Sequence, residues 1–181
     1  MQQLLAWTLE TIRSQDCFSW MEERRYDWTP LVRSAMAQLM EGKSILVATD
    51  ERRAWFGRYI VDHINVQENN RPFFPVFPLT DIFPHIQTFS NVQTLALAED
   101  MLDIAFPSGY FIWYIGKSDH GVMKLAHRRD NSFLWILDET IADSFYVREN
   151  DAMLDIKLLQ LFSLFDKTLN EVFFGDLDLE A

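Results

Sequence analysis

The stretch Ser44-Ile45-Leu46-Val47-Ala48-Thr49-Asp50-Glu51-Arg52-Arg53-Ala54-Trp55-Phe56 decides the fold. Its first six residues form a short, nearly continuous apolar run after Gly42, the pattern of a strand covered on both faces. Asp50 then stands as the cap of a helix in which Trp55, Phe56, Tyr59 and Ile60 recur at helical spacing. A strand that passes directly into a helix begins an α/β unit. The alternation continues: Phe73 to Leu79 is predicted as a second strand, confined to the sheet edge because Pro75 and Pro78 remove ladder donors. A helix is predicted over Val92 to Ala105, capped by Asn91, and another over Val122 to Arg129. Tyr110 to Ile115 (YFIWYI) and Phe133 to Leu137 (FLWIL) read as buried strands. The expected fold class is therefore α/β, with a mostly parallel five-stranded sheet and helices on both faces.

Seven residues separate Leu137 from the last strand, which begins at Phe145 and runs to Val147. A parallel crossover usually takes a dozen or more, so this strand is either antiparallel or joined by an irregular turn. Upstream, helices are predicted over Leu4 to Ile12 and Leu31 to Met40, the second with Thr29 as N-cap and Pro30 at the first helical position.

The last helix, from Met153 to about Phe173, carries a stripe of Leu154, Leu158, Leu161, Phe162, Phe165, Leu169 and Val172 that should face the sheet. Ile156, Leu159, Leu164 and Phe173 fall outside it among polar residues, which predicts a second packing surface there. With 15 Phe, 6 Trp and 5 Tyr to bury, an oligomer with Ile156, Leu159 and Leu164 at its interface is expected. Phe173 and Phe174, followed by Gly175 as helix stop and then Asp176, Asp178 and Glu180, read as a partner-binding patch: aromatic anchors with an acidic rim. In the alternative, Phe174 folds under the sheet edge, Phe173 joins the oligomer interface, and the partner docks elsewhere, near Trp20 and Trp28.

The length of 181 residues fits a single domain, residues 1–181, with no repeat or low-complexity tract. Only Glu68 to Arg71 and the run Pro72 to Pro84 look loop-like, and the acidic tail GDLDLEA reads as a solvated terminus. A net charge of -11 repels phosphate backbones and anionic lipid, so direct nucleic-acid or membrane binding is not expected. The N-terminal MQQLLAWTLETI lacks the basic and small-residue features of a signal peptide, and no apolar run reaches membrane-spanning length. A lone Cys17, read as a small buried hydrophobe, fits a reducing cytoplasm.

Catalytic signals are missing. The triplets Gly42-Lys43-Ser44 and Gly116-Lys117-Ser118 have Ala37 and Phe111 where a phosphate loop needs its first glycine. His63, His85, His120 and His127 have no metal-ligand spacing, no nucleophile elbow is present, and no cofactor is expected. If the sheet is doubly wound, a ligand would sit at residues 49–53 and 116–121, where the chain leaves its first and third strands.

Taken together, Ser44 to Phe56, the strand Ser132-Phe133-Leu134-Trp135 and Leu154 to Phe165 (LDIKLLQLFSLF) resemble the HobA family, regulators of the replication initiator DnaA in epsilon-class proteobacteria. The order and spacing of these segments carry the resemblance over nearly the whole chain. It implies a flavodoxin-like sheet of the sugar isomerase type, a homotetramer, and binding of the N-terminal domain of DnaA to scaffold initiator assembly at the origin. Sugar isomerase domains hold phosphosugars with loops rich in Ser and Thr. Here the corresponding loops supply Thr49 and Ser118 among charged residues, which argues for a non-enzymatic protein. The competing reading is a phosphosugar isomerase or phosphosugar-sensing domain using loops 49–53 and 116–121.

Overall fold

The computed structural model describes residues 1–66, 71–86, 89, 91–128 and 132–179. The loop reading of Glu68 to Asn70, the helix end at Arg129 and the rim residue Glu180 lie outside the described residues. In chain order the elements are α1 (Gln2–Arg13), α2 (Arg25–Met40), β1 (Ser44–Thr49), α3 (Ala54–Ile64), β2 (Val76–Pro78), α4 (Leu79–Ile82), α5 (Val92–Ala105), β3 (Tyr110–Lys117), α6 (Gly121–His127), β4 (Phe133–Leu137), β5 (Ser144–Val147) and α7 (Leu154–Phe174). The strands form one sheet in the order β2-β1-β3-β4-β5, with every neighbouring pair parallel. The chain leaves β1 for the edge strand β2, then returns across the sheet to place β3 on the other side of β1. This reversal puts a crevice outside the carboxyl ends of β1 and β3.

The apolar strands are apolar because both faces are covered. Ile45, Val47, Phe111, Trp113, Ile115, Phe133, Trp135 and Leu137 join a core with α1, α2, α3 and α7. Their alternates Leu46, Ala48, Ile112, Tyr114, Leu134 and Ile136 join a second core with α4, α5 and α6. Gly57 lets α3 lie close on β1, since a Cβ there would come within 2.9 Å of the Thr49 methyl. As expected from the sequence, Asn91 caps α5 by accepting the Thr94 amide. Asp50 caps not α3 itself but the single 3-10 turn Glu51–Arg53 before it, by accepting the Arg53 amide, and α3 starts at Ala54 without a side-chain cap.

The last strand is parallel, which leaves the irregular-turn reading of its connection. Residues 138–143 contain no helix, and Asp138 (φ 61°) and Asp143 (φ 54°) take left-handed conformations that short polar side chains tolerate. The Asp138 amide donates to the Val147 carbonyl at 3.0 Å, closing the loop against the strand it delivers.

Several expectations are corrected. Helix α2 starts at Arg25, so Thr29 is not its cap: the Thr29 hydroxyl donates to the Arg25 carbonyl at 2.7 Å, and Pro30 lies inside the helix. The added turn persists because it carries Trp28, fully buried against Phe133, Trp135 and Phe145 with ring centroids 5.8, 5.6 and 5.4 Å away. Burial also removes Trp28 as a docking surface. Leu164 is enclosed in the core, where α1, α2 and α3 all pack on α7. Leu164 is therefore withdrawn from the interface set. The tail is not solvated: Leu177 and Leu179 are buried, Arg33 Nε donates to the Leu179 carbonyl at 2.9 Å, and the Gln3 side chain binds the Asp176 carbonyl and the Asp178 amide. Cys17 is exposed at a positive φ of 60°, not a buried hydrophobe.

Candidate functional site

Two places collect the residues singled out by sequence: the crevice beyond β1 and β3, and the end of α7.

The crevice is filled by the chain's own charges. Asp50 Oδ1 accepts the Arg53 amide at 3.1 Å, and Oδ2 accepts the Lys117 amide at 3.1 Å together with Arg53 Nη2, so one carboxylate links the turn after β1 to the end of β3. Glu149, just past β5, takes Arg53 Nη1 at 3.1 Å, Arg52 Nη1 at 3.2 Å and Lys117 Nζ at 2.7 Å. The Lys117 ammonium first, then Arg53, holds the Glu149 carboxyl far down, at about 2. Burial works against the Arg53 charge, but Asp50 and Glu149 outweigh it and raise its pKa. Beneath them the Tyr114 hydroxyl donates to the Lys117 carbonyl at 2.7 Å, and burial pushes its ionisation upward. Gly116 keeps this layer tight, since a Cβ there would lie 2.9 Å from Asp50 Oδ2.

Loop residues 116–121 do not assemble a reaction centre. The Ser118 hydroxyl donates to the Glu139 carboxylate, and His120 caps α6 by accepting the Val122 amide at 3.3 Å, its other nitrogen 3.4 Å from Glu51. An open cleft of about 450 Å³ lies beside this loop, lined by Met123, Lys124, His127, Glu139 and Ile141. No group of metal-ligating side chains occurs among the described residues.

At the end of α7 the structure brings part of the aromatic patch together. Phe173 is half-buried, its ring edge-on to Phe74 with centroids 5.0 Å apart, while Phe174 is 53% exposed and 6.4 Å from the same ring. Asp176 leans the other way, lining a groove of about 240 Å³ with Gln3, Trp7 and Glu171. Gly175 ends the helix in an extended conformation, and a Cβ there would press into Glu171. Ile156 is 49% exposed and Leu159 is partly buried against the core.

Sequence reasoning missed Glu149 and the Phe73-Phe74 pair, of which Phe73 is 69% exposed. The signal for Glu149 was its place just beyond the carboxyl end of a strand, the position from which side chains reach the crevice of a doubly wound sheet. It also missed the exposed stripe Leu97, Met101 and Ile104 on α5. No described helix is long and apolar enough to cross a membrane.

A family model described as HobA, DNA replication regulator, matches residues 1–179. The DNA replication regulator protein HobA of Helicobacter pylori is 30% identical over 188 residues, covering 99% of this chain and all of that protein. Among solved structures, HobA from H. pylori and a HobA-DnaA (domain I-II) complex from the same organism each superpose with a TM-score of 0.75 at 28% identity, covering 96% of this chain and 96% and 97% of theirs.

Proposed function

The chain belongs to the HobA family of DNA replication regulators, and we propose that it works as a cytoplasmic, non-enzymatic scaffold that binds the N-terminal region of DnaA and assembles the initiator at the origin. The observation that carries this reading is the likeness, along almost the whole chain, to a protein solved in complex with DnaA domains I-II. The blocked crevice supports the non-enzymatic part: the loops that would hold a substrate are joined to each other by Asp50 and Glu149.

The chain acts as one domain and as a homotetramer, with Ile156 and Leu159 of α7 at a contact between copies. Several copies of one docking site raise the effective concentration of bound initiators near each other, which favours assembly without new chemistry. DnaA makes the DNA contact, as the charge of -11 disfavours direct phosphate binding. Docking is assigned to Phe173 and Phe174, with Asp176 as acidic rim. Supporting this, Phe174 is exposed with its ring 6.4 Å from that of Phe74, whose neighbour in the chain, Phe73, is exposed as well.

The test is a titration of DnaA domains I-II into the purified protein, with light scattering of both components. Saturable binding to an assembled protein is expected; absence of binding, or a monomer at micromolar concentration, removes the scaffold.

A further inference from the structure

A five-stranded sheet that does not close on itself has two edges, and each can offer its backbone to a further strand. The β2 edge is disarmed in its own backbone. Pro75 and Pro78 carry no amide hydrogen, and the Val76 amide donates to the Phe74 carbonyl at 2.9 Å. The β5 edge contains no proline. Its sequence is Ser144-Phe145-Tyr146-Val147, uncharged and, beyond Ser144, entirely aromatic or β-branched, the composition that pairs most readily with other strands.

The Asp138 amide donates to the Val147 carbonyl, so Val147 turns its backbone towards β4 and Tyr146, one residue earlier, turns its backbone outward. That outward carbonyl is taken. Arg24, immediately ahead of α2, reaches across to it: Nη2 donates to the Tyr146 carbonyl at 2.6 Å, and the guanidinium lies 4.3 Å from the centre of the Phe145 ring and 5.8 Å from that of Tyr146. Arg24 Nε lies 3.5 Å from Asp27 Oδ2, which steadies the side chain from within α2. One guanidinium thus occupies the acceptor that an incoming strand would need and stands in that strand's path.

We propose that the β5 edge is a latent pairing surface for the β5 strand of a second copy, and that Arg24 is the contact that keeps it closed. A twofold would lay the two strands antiparallel, with the same residues contributed from each side. The surface lies at the opposite edge of the sheet from β2, Phe74 and the aromatic end of α7, so it is independent of DnaA docking there, and either reading stands if the other fails.

The experiment compares wild type, Arg24→Ala, Arg24→Met and Arg24→Ala combined with Tyr146→Pro, each checked for fold by circular dichroism. Light scattering follows mass over about a hundredfold range of concentration, and hydrogen exchange of residues 144–147 is read at both ends of that range. Arg24→Ala is expected to self-associate at least about tenfold more tightly than wild type, with exchange over 144–147 slowed as mass rises. Arg24→Met keeps an apolar stem over Phe145 but loses the donor, so it serves if the alanine variant does not fold and should associate in the same way. Tyr146→Pro removes the outward amide at a position where an edge strand tolerates proline, and should return the mass to that of wild type. The proposal is overturned if neither Arg24 variant gains mass, if mass rises without protection of 144–147, or if Tyr146→Pro leaves the gain intact.

Discussion

Lys117 Nζ lies 2.7 Å from Glu149 Oε2, joining the end of β3 to the segment that leads from β5 into α7. Because β5 is reached by an irregular turn with no helix in the connection, this pair and the arginines beside it add a tie between the segment leading into α7 and the centre of the sheet.

Acid should loosen that tie. The Glu149 pKa is about 2 in the fold, below its unfolded value of about 4.5, so its contribution is fully present above pH 4.5 and is lost as pH falls towards 2. Urea unfolding of wild type and Glu149→Gln should differ most at pH 5 to 7 and converge towards pH 2. An unchanging gap across that window would remove the ion pairing as the cause.

The indole nitrogens of Trp28, Trp113 and Trp135 are buried without hydrogen-bond partners. Trp113→Phe removes an unsatisfied donor while keeping a ring against Phe165, 4.4 Å away, so it should cost under about 1.5 kcal/mol. Trp113→Ala should cost about 3 to 5 kcal/mol by leaving a cavity. Equal losses for the two would mean that the nitrogen is satisfied in solution.

Two leucine-class positions on α7 should part company. Leu164→Asp puts a carboxylate in the core and is expected to unfold the protomer, whereas Ile156→Asp should leave circular dichroism and melting temperature intact but dissociate the assembly. Light scattering beside thermal unfolding reads both, and an Ile156→Asp protein that stays fully assembled would take Ile156 out of the interface.

Phe173 and Phe174 are neighbours with different work. Phe174→Ala should weaken DnaA domain I-II binding about tenfold with little loss of stability, while Phe173→Ala should lower stability by about 2 kcal/mol through the lost contact with Phe74. Unchanged affinity in an assembled Phe174→Ala protein would place the footprint elsewhere.

The C-terminal tail should act as a clasp. Leu177→Ala and Leu179→Ala are each expected to cost about 1 to 2 kcal/mol in urea titrations, because both side chains are buried against the chain's own helices. A freely solvated tail would tolerate both without effect.

Much of the architecture was legible along the chain. The runs at Ser44, Tyr110 and Phe133 are apolar at consecutive positions, which only a strand covered on both faces requires, Asn91 announces the helix it caps, and Asp50 announces the turn that leads into α3. Their alternation was enough for a parallel α/β sheet, and the charge of -11 was enough to disfavour nucleic acid.

Contacts between distant positions settled the rest. A helix face reads as wet or buried from its own periodicity, yet whether Leu164 meets solvent depends on what packs on α7, and α1, α2 and α3, all of which do, lie about 90 to 160 residues earlier. The tail reads as soluble from its carboxylates, yet Arg33 and Gln3 dock it, and Cys17 reads as buried from its type, yet its backbone turns it outward. Glu149 is one acid among 27 until the sheet order sets it beside Arg53 and Lys117. Local pattern reports the period of a segment, because period follows from backbone geometry alone; which surface covers that segment, and which charge meets which, follows from the packing of elements far apart in the chain.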